Sequence, residues 1–121
     1  MIFETLFASF ALGAMSFDEA KGLADKQEAA LSPAQSHELV ASQGRLVGPA
    51  FAACMAAITP PKPLPAFTIV MTLDGTGRVR RTWRQGESAF AQCVERQFAT
   101  ASLFTPPSNP FFTSFEYTSE P

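Results

Sequence analysis

Residues 67–85, FTIVMTLDGTGRVRRTWRQ, restrict the fold more than any other stretch of this chain. Phe67, Ile69, Met71 and Leu73 alternate with Thr68, Val70 and Thr72, the period of two that a strand with one buried face requires. Asp-Gly-Thr-Gly follows, and glycine accepts the positive φ of a tight hairpin loop at no steric cost. The segment therefore reads as one antiparallel hairpin. On strict alternation Val79, Arg81 and Trp83 share the buried face of the return strand, with Arg78, Arg80, Thr82 and Arg84 on the other. Arg81 is the misfit, expected at the sheet margin with its stem over apolar surface.

The segments before and after the hairpin are helical in pattern. Residues 17–31, FDEAKGLADKQEAAL, read as an exposed amphipathic helix with Gly22 as a weak point. Ser32, Pro33 and Gln35 then give a cap, a first-turn proline and a capping-box partner. Gly44, Gly48 and Pro49 predict a break near Gly44 and a fresh helix from Arg45 to Ile58, with Leu46, Val47, Ala50, Phe51, Cys54, Ala57 and Ile58 on one side. TPPKPLP, residues 59–65, is a stiff connection to the hairpin, because each proline removes a donor and disfavours helical geometry before it. Ser88 caps a last helix predicted to reach Ser102, with Phe90, Cys93, Val94, Phe98 and Ala101 on one face. FTPPSNP makes a rigid turn, and Phe111, Thr113, Phe115 and Tyr117 alternate along a final strand.

The expected fold is α+β, a three-stranded antiparallel sheet with helices packed on one face, in the order α-α-β-β-α-β. Residues 17–58 form the helical part, and residues 59–121 the β-β-α-β part of the same domain. A chain of 121 residues has room for one such domain. With 46% apolar residues, twelve phenylalanines and 17% charged residues it has enough apolar surface to offset the entropy of folding.

Charge narrows the choice of partner. The net charge is −2; six acids face two lysines in residues 1–38, whereas five acids face seven bases in residues 39–121. A duplex-binding domain needs a larger basic excess to neutralise phosphates, so no nucleic-acid partner is expected. Residues 1–16 resemble a degraded or mis-started signal peptide: an apolar run from Thr5 to Met15 ends in small residues, with Ala14 and Ser16 three and one before Phe17. Glu4 stands where a basic residue is usual, and the alternative is an ordinary first helix. The run falls short of the about 20 apolar residues that cross a bilayer, so no stable membrane span is expected.

Catalytic patterns are sparse. His37, the single histidine, sits at a helix start beside Glu38 without converging partners, and reads as a surface residue. GTGR, residues 75–78, is a turn, because the glycine-lysine-serine portion of a phosphate loop is missing. Cys54 and Cys93 are 39 positions apart, too far for a CxxC motif and too few for a metal site alone. They read as one disulfide if the protein is exported, or as two buried thiols if it is cytosolic. A nucleophilic Cys93 would need an activating base and an exposed, electropositive setting, which an apolar helix face does not offer. The chain is expected to be non-catalytic, with no cofactor and no metal.

Arg78, Arg80 and Arg84 form the most suggestive constellation, expected with Phe112 on the sheet face away from the helices. Arginine presents a fork to carboxylates, so this face is a candidate docking site for an acidic protein segment. Trp83 falls on the opposite face by alternation, which weakens a base-stacking role. Glu116 is expected to neutralise one of the arginines. A second expectation, from another class, is a small secreted inhibitor or immunity-type protein that blocks an enzyme with the TPPSNP loop.

The element order, with Cys54, the FTIVMTLDGTGRV hairpin, Cys93-Val94, LFTPP and FEY in that spacing, resembles the C-terminal domain of TonB-type energy transducers, especially their two-cysteine relatives of the AgmX kind. The likeness runs from Cys54 to Tyr117. Members of that group are envelope proteins without catalytic residues, whose sheet and helices contact other proteins. The resemblance implies export to the periplasm or beyond, a Cys54–Cys93 disulfide and a protein partner in the cell envelope. The expected form is a stand-alone, divergent domain, since no Tyr-Pro motif precedes the first strand.

Overall fold

The computed structural model describes residues 14–118; of the residues read as a leader, 1–13 lie outside this range. Helix α1 spans Phe17–Ala29, helix α2 Pro33–Ala57 and helix α3 Ala89–Phe98. The strands are β1 (Phe67–Leu73), β2 (Val79–Gln85) and β3 (Phe111–Tyr117), in the sheet order β2-β1-β3 and antiparallel throughout. The fold is α+β in the expected order.

Local chemistry accounts for the helix starts. Ser16 and Ser32 each close a capping box, with Glu19 and Gln35 respectively, and Ser88 accepts from the Ala91 amide. Each box satisfies two amides that the first turn would otherwise leave without partners.

Two helix boundaries differ from expectation. The predicted break near Gly44 is absent, and α2 runs unbroken for 25 residues with Pro49 inside it. Gly44, Gly48 and Pro49 are all exposed, as is Arg45, whose carbonyl loses its helical donor at Pro49. Leu39, Leu46, Val47, Ala50, Phe51 and Cys54 meanwhile hold both halves of the helix against one core. Helix α3 stops at Phe98, short of the predicted Ser102. The following chain is recruited by the hairpin instead: the Val79 amide donates to the Ala101 carbonyl at 3.0 Å and the Leu103 amide to the Gly77 carbonyl at 2.8 Å.

One face of the sheet carries Phe67, Ile69, Met71, Leu73, Val79, Phe111 and Phe115, covered by α2 and α3. Phe51 of α2 is central there, with ring centroids 5.2 Å from Phe90, 6.0 Å from Phe115 and 6.1 Å from Phe67. Such aromatic edges and faces add specificity to the area buried. The other face, expected to be open, is covered by α1. Ala20 and Ala24 are fully buried against Val70, Trp83 and Phe112, with Met15, Phe17 and Leu23 around them. Helices thus pack on both faces, and the small side chains at positions 20 and 24 let α1 lie close to the strands.

Candidate interaction surface

The phase of β2 decides where the arginines go. Thr72 stands opposite Arg81 and Leu73 opposite Val79, so Arg80 is the extra residue of a β-bulge. Beyond it the alternation is inverted from the strict reading. Arg81 and Trp83 lie on the α1 face, across from Thr72 and Val70, whereas Thr82 and Arg84 lie on the face of α2 and α3, across from Met71 and Ile69. The misfit at Arg81 is resolved: its guanidinium sits over the Trp83 ring at 4.4 Å from the centroid.

The four residues expected to form one binding surface are therefore separated. Arg84 is largely enclosed, with Nε donating to Glu95 Oε1 at 3.0 Å and an η nitrogen donating to the Gly86 carbonyl at 2.7 Å. Thr82 donates to the other Glu95 oxygen at 2.9 Å, so this carboxylate ties α3 to β2. Phe112 is 4% exposed, its ring 5.8 Å from that of Trp83 beneath α1. Glu116 does not meet an arginine; it accepts from Lys21 at 2.9 Å, and Lys21 also reaches Asp25 at 2.6 Å. These hydrogen bonds, to Asp25 first and then Glu116, raise the Lys21 pKa.

Arg78 and Arg80 remain exposed, at the turn end of the hairpin. Asp74 organises that turn. One of its oxygens accepts from the Thr76 hydroxyl at 2.6 Å, the Thr76 amide at 2.9 Å and the Arg78 amide at 3.1 Å. The Thr76 bonds, followed by the Arg78 amide and the Arg80 charge, hold the Asp74 carboxyl below its ordinary pKa. Arg80 Nη1 is 3.9 Å from the second Asp74 oxygen. The turn carboxylate thus stays ionised and steers Arg80, while Arg78 projects beside it. Asn109, in the loop before β3, lies against the same turn: its Nδ2 is 3.6 Å from where a Gly75 Cβ would stand.

Cys54 of α2 and Cys93 of α3 are bonded, with Cα atoms 5.9 Å apart. Both sulfurs are therefore committed, and neither is a thiolate nucleophile in this state. His37 is exposed on α2. Among the described residues no group of three or more His, Cys, Asp or Glu side chains is placed to hold a metal ion, and no helix is long and apolar enough to cross a membrane.

A third set of residues escaped sequence reasoning. The outer edge of β3 is met by side chains from α1 and α2: the Phe112 amide donates to Gln27 Oε1, the Ser114 amide and Thr113 hydroxyl donate to Glu28 Oε2, and Gln43 Nε2 donates to Thr113 Oγ1 and the Ser114 carbonyl. The α1–α2 pair straddles this edge, one helix on each face. Nothing local signals the role, because the partners are 70 to 86 positions apart.

The fold and these sites define a small disulfide-stapled α+β domain whose sheet is covered on both faces. No family model matches the chain, and neither the curated proteins nor the solved structures contain a match.

Proposed function

We propose that this protein is a non-catalytic, exported envelope protein whose TonB-like domain binds another protein. The observation that carries the reading is the Cys54–Cys93 bond between the facing sides of two helices, since disulfides form and persist in oxidising compartments. The α-β-β-α-β order from Cys54 to Tyr117 supports the TonB-like part of the reading. With Arg84 and Phe112 withdrawn into the fold, the binding surface narrows to Arg78 and Arg80 on the Asp74 turn, which suits an acidic segment of a protein partner in the periplasm.

Two measurements test this. Protein recovered from the native envelope fraction is expected to show no titratable thiols until reduced, whereas two free thiols in a cytosolic pool end the export reading. An Arg78→Ala/Arg80→Ala variant is expected to lose at least about tenfold in affinity for its envelope partner, each rim charge carrying on the order of 1 kcal/mol. Unchanged capture removes the hairpin end from the interface.

The inhibitor reading draws on a separate observation: Pro107, Ser108, Asn109 and Pro110 are consecutive exposed residues beside the hairpin turn. Inhibition of a lytic enzyme that survives in the double variant but fails on replacing residues 107–110 would favour it.

A further inference from the structure

We infer that the outward face of α2 pairs with the same face of a second copy of this chain, antiparallel about a two-fold axis at Ala41. The inference does not depend on export. A helix that lies on a core ordinarily turns charged and polar residues to water. Here Arg45 is the one charged residue between Leu39 and Ala57, and Val40, 68% exposed, is the most exposed large apolar side chain among the described residues. Gly44 and Gly48 are equally unexplained within the protomer. Neither has a positive φ, a Cβ at either would meet nothing within 4 Å, and each weakens the helix relative to alanine. What glycine offers on an open helix face is close approach of another backbone.

Charge selects both the occupant and the register. Glu38 and Arg45 are exposed and make no ion pair among the described residues. They stand seven positions apart on the same flank of α2, about two turns of rise, which is too far for them to pair with each other. An axis at Ala41 lies between them and sets each flank of one helix beside the same flank of the other. Glu38 then meets Arg45 of the second copy, and the exchange repeats in reverse. On the opposite flank the same axis sets Val40 level with Gly44 of the second copy, and along the middle it sets His37 over the notch between Gly44 and Gly48. Large side chains face small ones throughout. A register centred on Gly48 would bring Met55, 49% exposed, over Ala41, but it leaves both charges opposite uncharged residues. One helix crossing buries less than a standard interface, so the association is weak, with a dissociation constant on the order of 10–100 μM.

Sedimentation equilibrium of the full chain from about 10 μM to about 1 mM spans that range and tests the inference. The mass is expected to rise from monomer to dimer. Glu38→Arg and Arg45→Glu are each expected to weaken association at least about tenfold, since each turns two attractive contacts into repulsive ones. The combined variant, and an equimolar mixture of the two single variants, are expected to recover it, because both restore opposite charges at every contact. Neither side chain takes part in a described ion pair, so the variants are expected to keep the fold, which unchanged Trp83 emission checks. A monomer at every concentration overturns the inference, including one whose α2 face captures a different protein. A dimer indifferent to the reversals overturns it too, as do single variants that stay apart when mixed.

Discussion

Gly77 closes the hairpin with a φ of 92°, and a Cβ there would lie 2.4 Å from the Phe104 carbonyl oxygen and 2.7 Å from that of Leu103. Its amide donates to the Asp74 carbonyl and its own carbonyl accepts from Leu103, so neither the turn nor the neighbouring chain can retreat. Gly77→Ala is expected to cost at least about 2 kcal/mol, from the disfavoured backbone region and the collision with main-chain atoms. Gly44→Ala provides the contrast: nothing lies within 4 Å of its Cβ position, it sits in the middle of a helix and no proline follows it, so it is expected to stabilise by about 0.5–1 kcal/mol. Urea denaturation of the two variants checks both signs. The Asp-Gly-Thr-Gly stretch made the turn legible in sequence. The strictness at position 77 was not, because it comes from residues 103 and 104 folding back against it.

At the level of elements, legibility followed the range of the forces involved. The three serine caps act within four residues and were readable at two of the starts, Ser32 and Ser88; the third, Ser16, was taken as part of a leader. The β2 bulge was not readable. It is set by the simultaneous pairing of Val79 with Leu73 and with Ala101, and this inverts the faces of Arg81, Trp83 and Arg84. The break assigned to Gly44 failed for a related reason, since local propensity lost to a stripe of buried contacts that runs past the weak residues. Exposed strand edges invite unwanted pairing, and β3 is protected by side chains from both neighbouring helices. Glu28→Ala leaves the Ser114 amide and the buried Thr113 hydroxyl short of an acceptor, and is expected to cost about 1–3 kcal/mol. Glu28→Gln keeps a carbonyl oxygen and is expected to lose less. Faster amide exchange at Ser114 in the alanine variant, alongside a lowered denaturation midpoint, is the measurement.

The whole molecule is a sheet between two unequal cores, and the disulfide serves only one of them. Cys54–Cys93 joins α2 to α3 on the larger core, whereas α1 is held by non-covalent contacts to Val70, Trp83 and Phe112. Closing a loop of 39 residues stabilises by up to about 4 kcal/mol in the chain-entropy model. Reduction is expected to lower the denaturation midpoint by a corresponding amount. The emission of Trp83, the single tryptophan, should stay blue-shifted below the transition, because its face does not depend on the bridge. A red shift on reduction alone would mean that the two cores are not separable. The α+β architecture and the cysteine pair were within reach of the sequence. Cover on the second face was not, because α1 has only a weakly apolar side and needs just two alanines to seat it.

Helix α1 also has its place in time. Its sheet-facing neighbours include Phe112, and the acceptors at its C-terminal end serve amides of residues 112 and 114, which lie 85 and 86 positions later in the chain. Until β3 has been made, α1 has no finished surface to settle on, and the central strand lacks one of its two neighbours. Folding to the final state therefore waits for synthesis of β3, the strand furthest in sequence from the helix it must receive.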